Sequence, residues 1–297
     1  MVQIVRAEQL SEQIFLMDVK APRIAENCLP GQFIIAIIDK YGERIPLTIC
    51  DYDREQGLIT IVFQVVGAST LRMSQLKAGD CFSDFVGPLG NPSEFTELSD
   101  EELKNTRFLF IAGGVGTAPV YPQVKYLASK GVKADVIIGA RTKDLIILED
   151  QMKEVAGNVY VTTDDGSYCH KGTVTTVFEE LMAEGKQYDV CVAIGPLVMM
   201  KFCCLSTAKY NLKTIVSLNP IMIDGTGMCG GCRVSVDGKT RFACVEGPEF
   251  DGHQVDWDEA MKRQQIFKKE ETEAMQKCQN RGKEGHVCHC NSEGGAN

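Results

Sequence analysis

The chain has little that would tie it to a membrane or to nucleic acid. No apolar run approaches the ~18–20 residues needed to cross a bilayer, the longest candidate being Val190 to Met200. Positive charge is in deficit: 31 Lys and Arg stand against 40 Asp and Glu in 297 residues, a net of −9. That balance excludes binding to a polyanion by bulk charge. Met1–Leu10 alternates as a strand does and lacks the charged-then-apolar layout of a signal peptide, so a cytoplasmic location is expected. Histidine is scarce, four in all, and no Ser/His/Asp or Cys/His set is convincing, so no catalytic side chain is assigned.

Cysteine, by contrast, is abundant, with 13 residues. In a short secreted chain these would suggest disulfides; in a large one without an export signal they suggest a reducing compartment. Cys50, Cys191 and Cys203 lie in apolar surroundings and read as small core side chains. Cys229, Cys232 and Cys244 stand among glycines and call for another explanation.

Apolar residues are 44% and charged residues 24% of the chain, which is ordinary globular composition, and the length suggests two domains. Up to residue 98 the sequence reads as short strands (Gln13–Val19, Gln32–Ile38, Leu58–Val66, and around Cys81–Val86) punctuated by Gly and Pro turns. This predicts an antiparallel β barrel or sandwich. Residues 91–105 are polar and read as a linker or cap. Over 99–218 the rhythm changes. Apolar runs such as Arg107–Ala112 alternate with helical stretches, among them Asp144–Glu154, which predicts a parallel α/β sheet. Residues 219–255 form a compact Gly/Cys lobe. Residues 256–297 give a charge-balanced helix over about 257–280, with a weak apolar stripe (Ala260, Phe267, Ala274), and then a tail containing Cys288-His289-Cys290. That helix reads as a docking element or as a plain solvated face, and the tail as incidental thiols in a Gly-, Ser- and Asn-rich segment.

The strongest chemical signal is Asp224-x4-Cys229-x2-Cys232-x11-Cys244. Plant-type [2Fe–2S] proteins use Cys-x4-Cys-x2-Cys and a distant fourth Cys. Here an aspartate takes the first position, and a carboxylate ligates iron with a harder donor than sulfur, which shifts a reduction potential. A hairpin over Arg233–Val236 and Thr240–Cys244, turning at Asp237-Gly238, returns Cys244 to the loop. A zinc knuckle with three thiolates, or an Asp serving only as a turn residue, stays open at this point.

A second signal is Gly113-Gly114-Val115-Gly116-Thr117-Ala118-Pro119, placed after a buried strand and before a helix. Such a turn exposes amides to a pyrophosphate, although the Gly-x-Gly-x-x-Gly spacing is missing. Gly139-Ala140-Arg141, Asp164-Asp165 and Gly195-Pro196 fall at other strand ends of the same sheet, where ligands of open α/β sheets bind. The third signal is Pro46-Leu47-Thr48 together with Val65 and Gly67-Ala68-Ser69-Thr70. These groups suit a flavin, the first bordering its ring and the last receiving its pyrophosphate. Taken singly, each is ordinary turn or cap chemistry.

Taken together with Pro30-Gly31-Gln32-Phe33, Gly87-Pro88-Leu89-Gly90 and Gly247-Pro248-x-Phe250, these motifs resemble the ferredoxin–NADP reductase superfamily. Within it, residues 1–255 resemble the electron-transfer subunits of dihydroorotate dehydrogenase. They also resemble the small subunits of the NADH-dependent reduced ferredoxin:NADP oxidoreductase (sulfide dehydrogenase) type, in which an aspartate replaces the first cluster cysteine. The resemblance implies an FAD barrel, an NAD(H)- or NADP(H)-binding domain and a [2Fe–2S] lobe held by Asp224, Cys229, Cys232 and Cys244. It also implies a larger partner subunit carrying a second FAD and [4Fe–4S] clusters, through which ferredoxin is reached. The flavin arginine usual in the superfamily falls at Ile45 here, with Arg44 one residue earlier. Two further readings are an electron-transfer subunit serving a dihydroorotate dehydrogenase and, from another class, a zinc-stabilised nucleotide-binding regulator.

Overall fold

The structure, a computed structural model, describes residues 1–281; the Cys288-His289-Cys290 tail lies outside the described residues. The first half contains β1 (Val2–Ser11), β2 (Ile14–Lys20), α1 (Pro22–Asn27), β3 (Phe33–Ile37), β4 (Ile45–Asp53), β5 (Leu58–Gln64), α2 (Ala68–Met73), β6 (Cys81–Phe82) and β7 (Asp84–Leu89). The strands pair antiparallel in the order β6-β1-β2-β5-β4-β3-β7. The two edge strands follow one another through Ser83, whose N–H donates to the Ile37 carbonyl at 2.9 Å. The result is a nearly closed antiparallel barrel, the first of the two forms, barrel or sandwich, that the strand spacing predicts. Its interior is filled by Ile4, Met17, Ile34, Ile59, Ile61, Phe63 and Phe82.

Residues opposite one another on paired strands share a face, and successive residues alternate. The β3/β4 register sets Phe33 against Thr48, Ile34 against Leu47 and Ile35 against Pro46. Ile34 and Leu47 therefore point into the barrel, where both pack on its core. Phe33 and Ile35 share the outer face with Thr48 and Pro46.

Residues 91–105 act as a cap rather than a linker. A 3-10 turn at Glu94–Glu97 buries Phe95 against the rings of Phe108, Phe110 and Tyr126. Helix α3 (Asp100–Asn105) follows, started by a reciprocal Ser99–Glu102 capping box.

The second sheet alternates β8 (Phe108–Gly113), α4 (Thr117–Ser129), β9 (Asp135–Ala140), α5 (Glu149–Val155), β10 (Val159–Thr163), β11 (His170–Lys171), α6 (Val174–Ala183), β12 (Val190–Ile194), α7 (Leu197–Ala208) and β13 (Lys213–Ser217). The pairings among these strands are parallel, in the order β11-β10-β9-β8-β12-β13. Every residue of β8 is buried, as expected of a central strand covered on both faces. The helix expected over Asp144–Glu154 starts only at Glu149. Ile147 and Leu148 are instead buried in a cluster with Ile14, Leu16, Cys50 and Val62 of the barrel. Joining the two halves of the molecule outweighs local helix propensity there.

The hairpin β14 (Arg233–Val236) and β15 (Lys239–Phe242) turns through Asp237 and Gly238, both with positive φ, as the Asp-Gly signal predicts. The short α8 (Ala243–Glu246) carries Cys244, and β16 (Glu249–Asp251) then returns to the large sheet, antiparallel to β13. The expected single helix over 257–280 is two, α9 (Trp257–Gln264) and α10 (Lys268–Arg281). The first packs on α7 and β14, the second on α2 of the barrel. Of the supposed apolar stripe only Ala260 packs on a core, while Phe267 and Ala274 are exposed.

Candidate functional site

The chain order of the parallel sheet reverses between β8 and β12, and in open α/β sheets a ligand binds at the carboxyl ends of strands flanking such a reversal. Two glycine loops meet at this point. A Cβ on Gly116 would lie 2.3 Å from the Ile194 carbonyl oxygen, and one on Gly195 would lie 3.1 Å from Gly113 Cα. The two backbones touch here, and the Met199 side chain lies against both Gly113 and Gly195. Gly114 differs: its φ is +56° and a Cβ there would meet nothing within 4 Å, so it borders open space. Thr117 and Ala118 are buried, the Thr117 hydroxyl donating to the Gly114 carbonyl at 2.9 Å, and Val115 packs towards the barrel. Pro119 lies in the first turn of α4 and Pro196 caps α7. The seven-residue motif thus divides into an open edge at Gly114 and a packed base.

Beside it, Gly139 is also a packing glycine, since a Cβ there would come within 2.2 Å of Val174. Ala140 and the exposed Arg141 follow, tied to the next loop: Asp164 N–H donates to the Ala140 carbonyl at 3.0 Å and Asp165 N–H to the Arg141 carbonyl at 3.3 Å. Arg141, Asp164 and Asp165 are therefore brought to one rim. The Ser167 side chain and N–H hold the Asp165 carboxyl below the usual range. Sequence reasoning missed the rest of this rim, in which Lys143 N–H donates to Ser167 Oγ at 2.9 Å and the Lys143 ammonium sits over the Tyr168 ring.

Strand β5, which leads into Val65 and the Gly67–Thr70 turn, packs against the Gly114–Gly116 turn. Pro46 and Thr48 face outward on β4, whereas the half-buried Leu47 points inward and packs on the barrel core. Val65 follows β5, its N–H donating to the Gln13 carbonyl at 2.8 Å. Thr70 Oγ1 accepts from the N–H groups of Val66 and Gly67 at 3.0 and 3.1 Å, so these groups spend themselves on the turn. Ser69 donates to Glu43, and Cys278 of α10 lies 3.9 Å from the Ala68 carbonyl oxygen. A Cβ on Gly67 would meet nothing within 4 Å, which leaves this end of the turn open to a ligand.

The Gly/Cys loop rests on the barrel's outer face. Cys232, Ala243 and Cys244 form one buried cluster with Phe33 and Ile35 of β3. The loop needs its glycines: Gly225 has φ +81°, and a Cβ there would sit 2.9 Å from Ile35. The Asp224 carboxylate accepts from Thr226 Oγ1 at 2.6 Å, Thr226 N–H at 2.8 Å and Met228 N–H at 3.2 Å. These bonds, the Thr226 hydroxyl foremost, hold its pKa below the usual carboxylate range. Cys229 is exposed, and the Gly231 N–H, 3.4 Å from its sulfur, lowers the thiol's pKa. Cys232 and Cys244 are buried and adjacent, with Cys244 N–H donating to Cys232 Sγ at 3.4 Å. Burial, and then Cys232, push the Cys244 thiol up to about 11.

Among the described residues no three such side chains are drawn into a ready metal pocket. The four candidate ligands stand instead as two pairs, Asp224 with Cys229 and Cys232 with Cys244. Three thiols and an ionised carboxylate on a glycine loop fit a two-iron centre, whose iron would itself deprotonate the buried thiols.

Sequence reasoning also missed Glu249. Its Oε1 accepts from Ser93 Oγ at 2.9 Å and Gln123 Nε2 at 2.8 Å, joining the barrel's exit, α4 and β16. Desolvation outweighs both bonds and raises the carboxyl to about 7. The native state then keeps a proton that the unfolded chain releases near pH 4.5, so stability falls as pH rises from there to about 7 and levels off above. Glu249→Gln is expected to remove that slope, leaving the variant more stable than the parent at pH 8 by at most about 3 kcal/mol and equal to it near pH 4. Equal melting-temperature differences at both pH values would show that folding does not raise the carboxyl's pKa.

Two family models match parts of this chain. The family model described as the iron-sulfur cluster binding domain of dihydroorotate dehydrogenase B matches residues 219–256, and that of the oxidoreductase NAD-binding domain matches residues 110–205. The chain is 53% identical over 295 residues to an uncharacterized protein in the adh 3′ region of Clostridium beijerinckii, covering 99% of this chain and 100% of that one. It is 45% identical over 269 residues to a dihydroorotate dehydrogenase B (NAD(+)) electron transfer subunit homolog of Thermotoga maritima, covering 91% and 92%. A solved chain from an NADH-dependent reduced ferredoxin-NADP oxidoreductase, a structure concerned with flavin-based electron bifurcation, superposes with a TM-score of 0.85 at 43% identity, covering 93% and 96%. Phthalate dioxygenase reductase, at 15% identity and a TM-score of 0.55 (79% and 85% covered), shares the fold.

Proposed function

Because this chain belongs to the family of dihydroorotate dehydrogenase B electron-transfer subunits and their homologues, we propose that it moves electrons between NADH and a [2Fe–2S] cluster by way of FAD, as the smaller subunit of an electron-bifurcating ferredoxin/NADH/NADP oxidoreductase. It is an oxidoreductase subunit with FAD, an iron–sulfur cluster and a pyridine nucleotide as its redox groups. The larger partner would carry a second flavin and [4Fe–4S] clusters, with ferredoxin reached through the complex. No described helix is long and apolar enough to span a membrane, and the cytoplasm is the compartment we propose.

The register of β3 against β4 carries this reading. Pro46 and Thr48 stand directly across from Ile35 and Phe33, the residues on which Cys232 and Cys244 are seated. Neighbouring strands lie about 5 Å apart. One strand pair therefore sets the spacing between the flavin side and the cluster side of the site.

A bound flavin would supply hydride exchange with the nicotinamide and one-electron exchange with the cluster. The chain's own residues bind and orient. Gly114 leaves room for the dinucleotide's pyrophosphate, and Arg141, Asp164 and Asp165 form the rim for its adenosine end. Pro46, Thr48, Val65 and Gly67-Ala68-Ser69-Thr70 border the flavin, and Asp224, Cys229, Cys232 and Cys244 would hold the irons. Hydride transfer needs no acid–base side chain, and no residue is assigned one.

A second reading, service to a dihydroorotate dehydrogenase, is favoured by the names of the relatives at 30–33% identity. Asp224 speaks for the first, since the dihydroorotate type resembled by the sequence uses four cysteines. A zinc-stabilised regulator is set aside by membership of an oxidoreductase family. Asp224→Cys tests the residue on which that preference rests: it is expected to retain iron and sulfide while changing the cluster's midpoint potential, read by EPR-monitored titration. An unchanged potential would remove Asp224 from the ligand set.

A further inference from the structure

Arg44 occupies the junction between the barrel and the Gly/Cys loop. Its Nε and Nη2 both donate to the Asp224 main-chain carbonyl, at 3.1 and 2.9 Å, across 180 residues of sequence. The neighbouring residue turns the other way, Glu43 accepting from Ser69 in the candidate flavin turn. Two more guanidinium groups hold the same loop by its carbonyls: Arg233 on Gly230 at 3.3 Å and Arg263 of α9 on Gly231 at 3.1 Å. Amides of the same loop donate instead to candidate ligands, Thr226 and Met228 N–H to Asp224 and Gly231 N–H to Cys229. The guanidinium fork fixes direction as well as distance, which a lysine does not.

Resting on the reading that Asp224 is an iron ligand, we propose that Arg44 is the positioning residue for that ligand. It clamps the Asp224 backbone to the strand that carries Pro46 and Thr48, and its charge raises the cluster's reduction potential. Reduction adds a negative charge to a centre already held by three thiolates and a carboxylate. A fixed positive charge in a half-buried position favours that state. Arg44 then belongs to the cluster, whereas the superfamily's flavin motif would give an arginine on this strand to the flavin pyrophosphate.

The test compares the full chain with Arg44→Gln and Arg44→Lys, measuring iron, acid-labile sulfide, flavin content and the cluster's midpoint potential by EPR. Arg44→Gln is expected to lose iron, or to keep it with a lower potential. The expected shift corresponds to about a tenfold change in the oxidised-to-reduced ratio, about 59 mV for a one-electron couple. Arg44→Lys keeps the charge without the fork and should recover the potential in part, with iron bound less firmly than in the parent. Flavin loss with an unchanged cluster potential would assign Arg44 to the flavin and overturn the proposal. So would a glutamine variant matching the parent in all four measurements. A parent protein free of iron and sulfide would instead overturn the cluster reading itself.

Discussion

Replacing Cys229 by serine is expected to yield a protein that purifies with its flavin and without iron or acid-labile sulfide, at least a tenfold loss of bound iron relative to the parent. The position isolates ligation from packing. Cys229 is exposed, so a hydroxyl there buries no polar group and leaves the cluster of Phe33, Ile35, Cys232 and Cys244 as it stands. Its sulfur accepts one bond, from the Gly231 N–H, which a serine oxygen would also accept. What changes is the donor. A thiolate is the ligand iron–sulfur centres use, and a serine hydroxyl resists the deprotonation that ligation requires. The same change at Cys232 would be less informative, because it places a hydroxyl in a buried apolar setting and lowers stability on its own account. Loss of flavin from Cys229→Ser with iron retained would mean that the loop serves the flavin and that the division of the chain into flavin and cluster regions is wrong.

What could be read from the sequence was what is local. The Asp224–Cys232 spacing, the Asp237-Gly238 turn and the Gly113–Gly116 turn are each set within a few residues by backbone conformations that only some side chains allow. The apolar run of β8 announced a strand buried on both faces for the same reason. Facing could also have been read, by strand alternation through Ile45 to Thr48, and that would have separated Leu47 from its neighbours. Glycines were harder. Gly139 and Gly195 look like ligand-facing glycines in a string of letters, and nothing in that string shows that Val174 and Met199 also leave no room for a Cβ there. Long-range partners left no mark at all: Arg44 with Asp224, Glu249 with Ser93 and Gln123, and Arg263 with Gly231. Each pairing exists because the second half of the chain folds back on the first, and no window along the sequence contains both members. The break at 265–267 belongs to this class, the two helices packing on separate surfaces.

Gly116→Ala is expected to cost both stability and nucleotide binding. The residue's φ of −61° suits alanine, so backbone conformation adds no penalty and the effect is steric. The new Cβ would lie 2.3 Å from the Ile194 carbonyl oxygen, 2.8 Å from its carbon and 3.0 Å from Gly195 Cα. All three are backbone atoms of or beside β12, which is locked to β8 by the pairing of Ile194 with Ala112. No side chain can rotate away, so the turn must lift off the strand. Overpacking of this kind costs about 1–3 kcal/mol. The lifted turn also displaces Gly114 from the edge of the cleft, and NADH affinity should fall at least tenfold while flavin and iron stay bound. Gly114→Ala supplies the contrast. Its methyl would meet no protein atom, so its stability cost is the left-handed strain alone, about 1–2 kcal/mol. Any loss of NADH affinity beyond that of a perturbed turn must then come from the methyl meeting the ligand. Isothermal titration with NADH and thermal melts of both variants separate the two roles. If Gly116→Ala binds NADH as the parent does and melts at the same temperature, the close approach of the two loops is not what shapes the site. If Gly114→Ala binds as the parent does, the pyrophosphate does not pass over Gly114, and the open edge there belongs to some other part of the nucleotide.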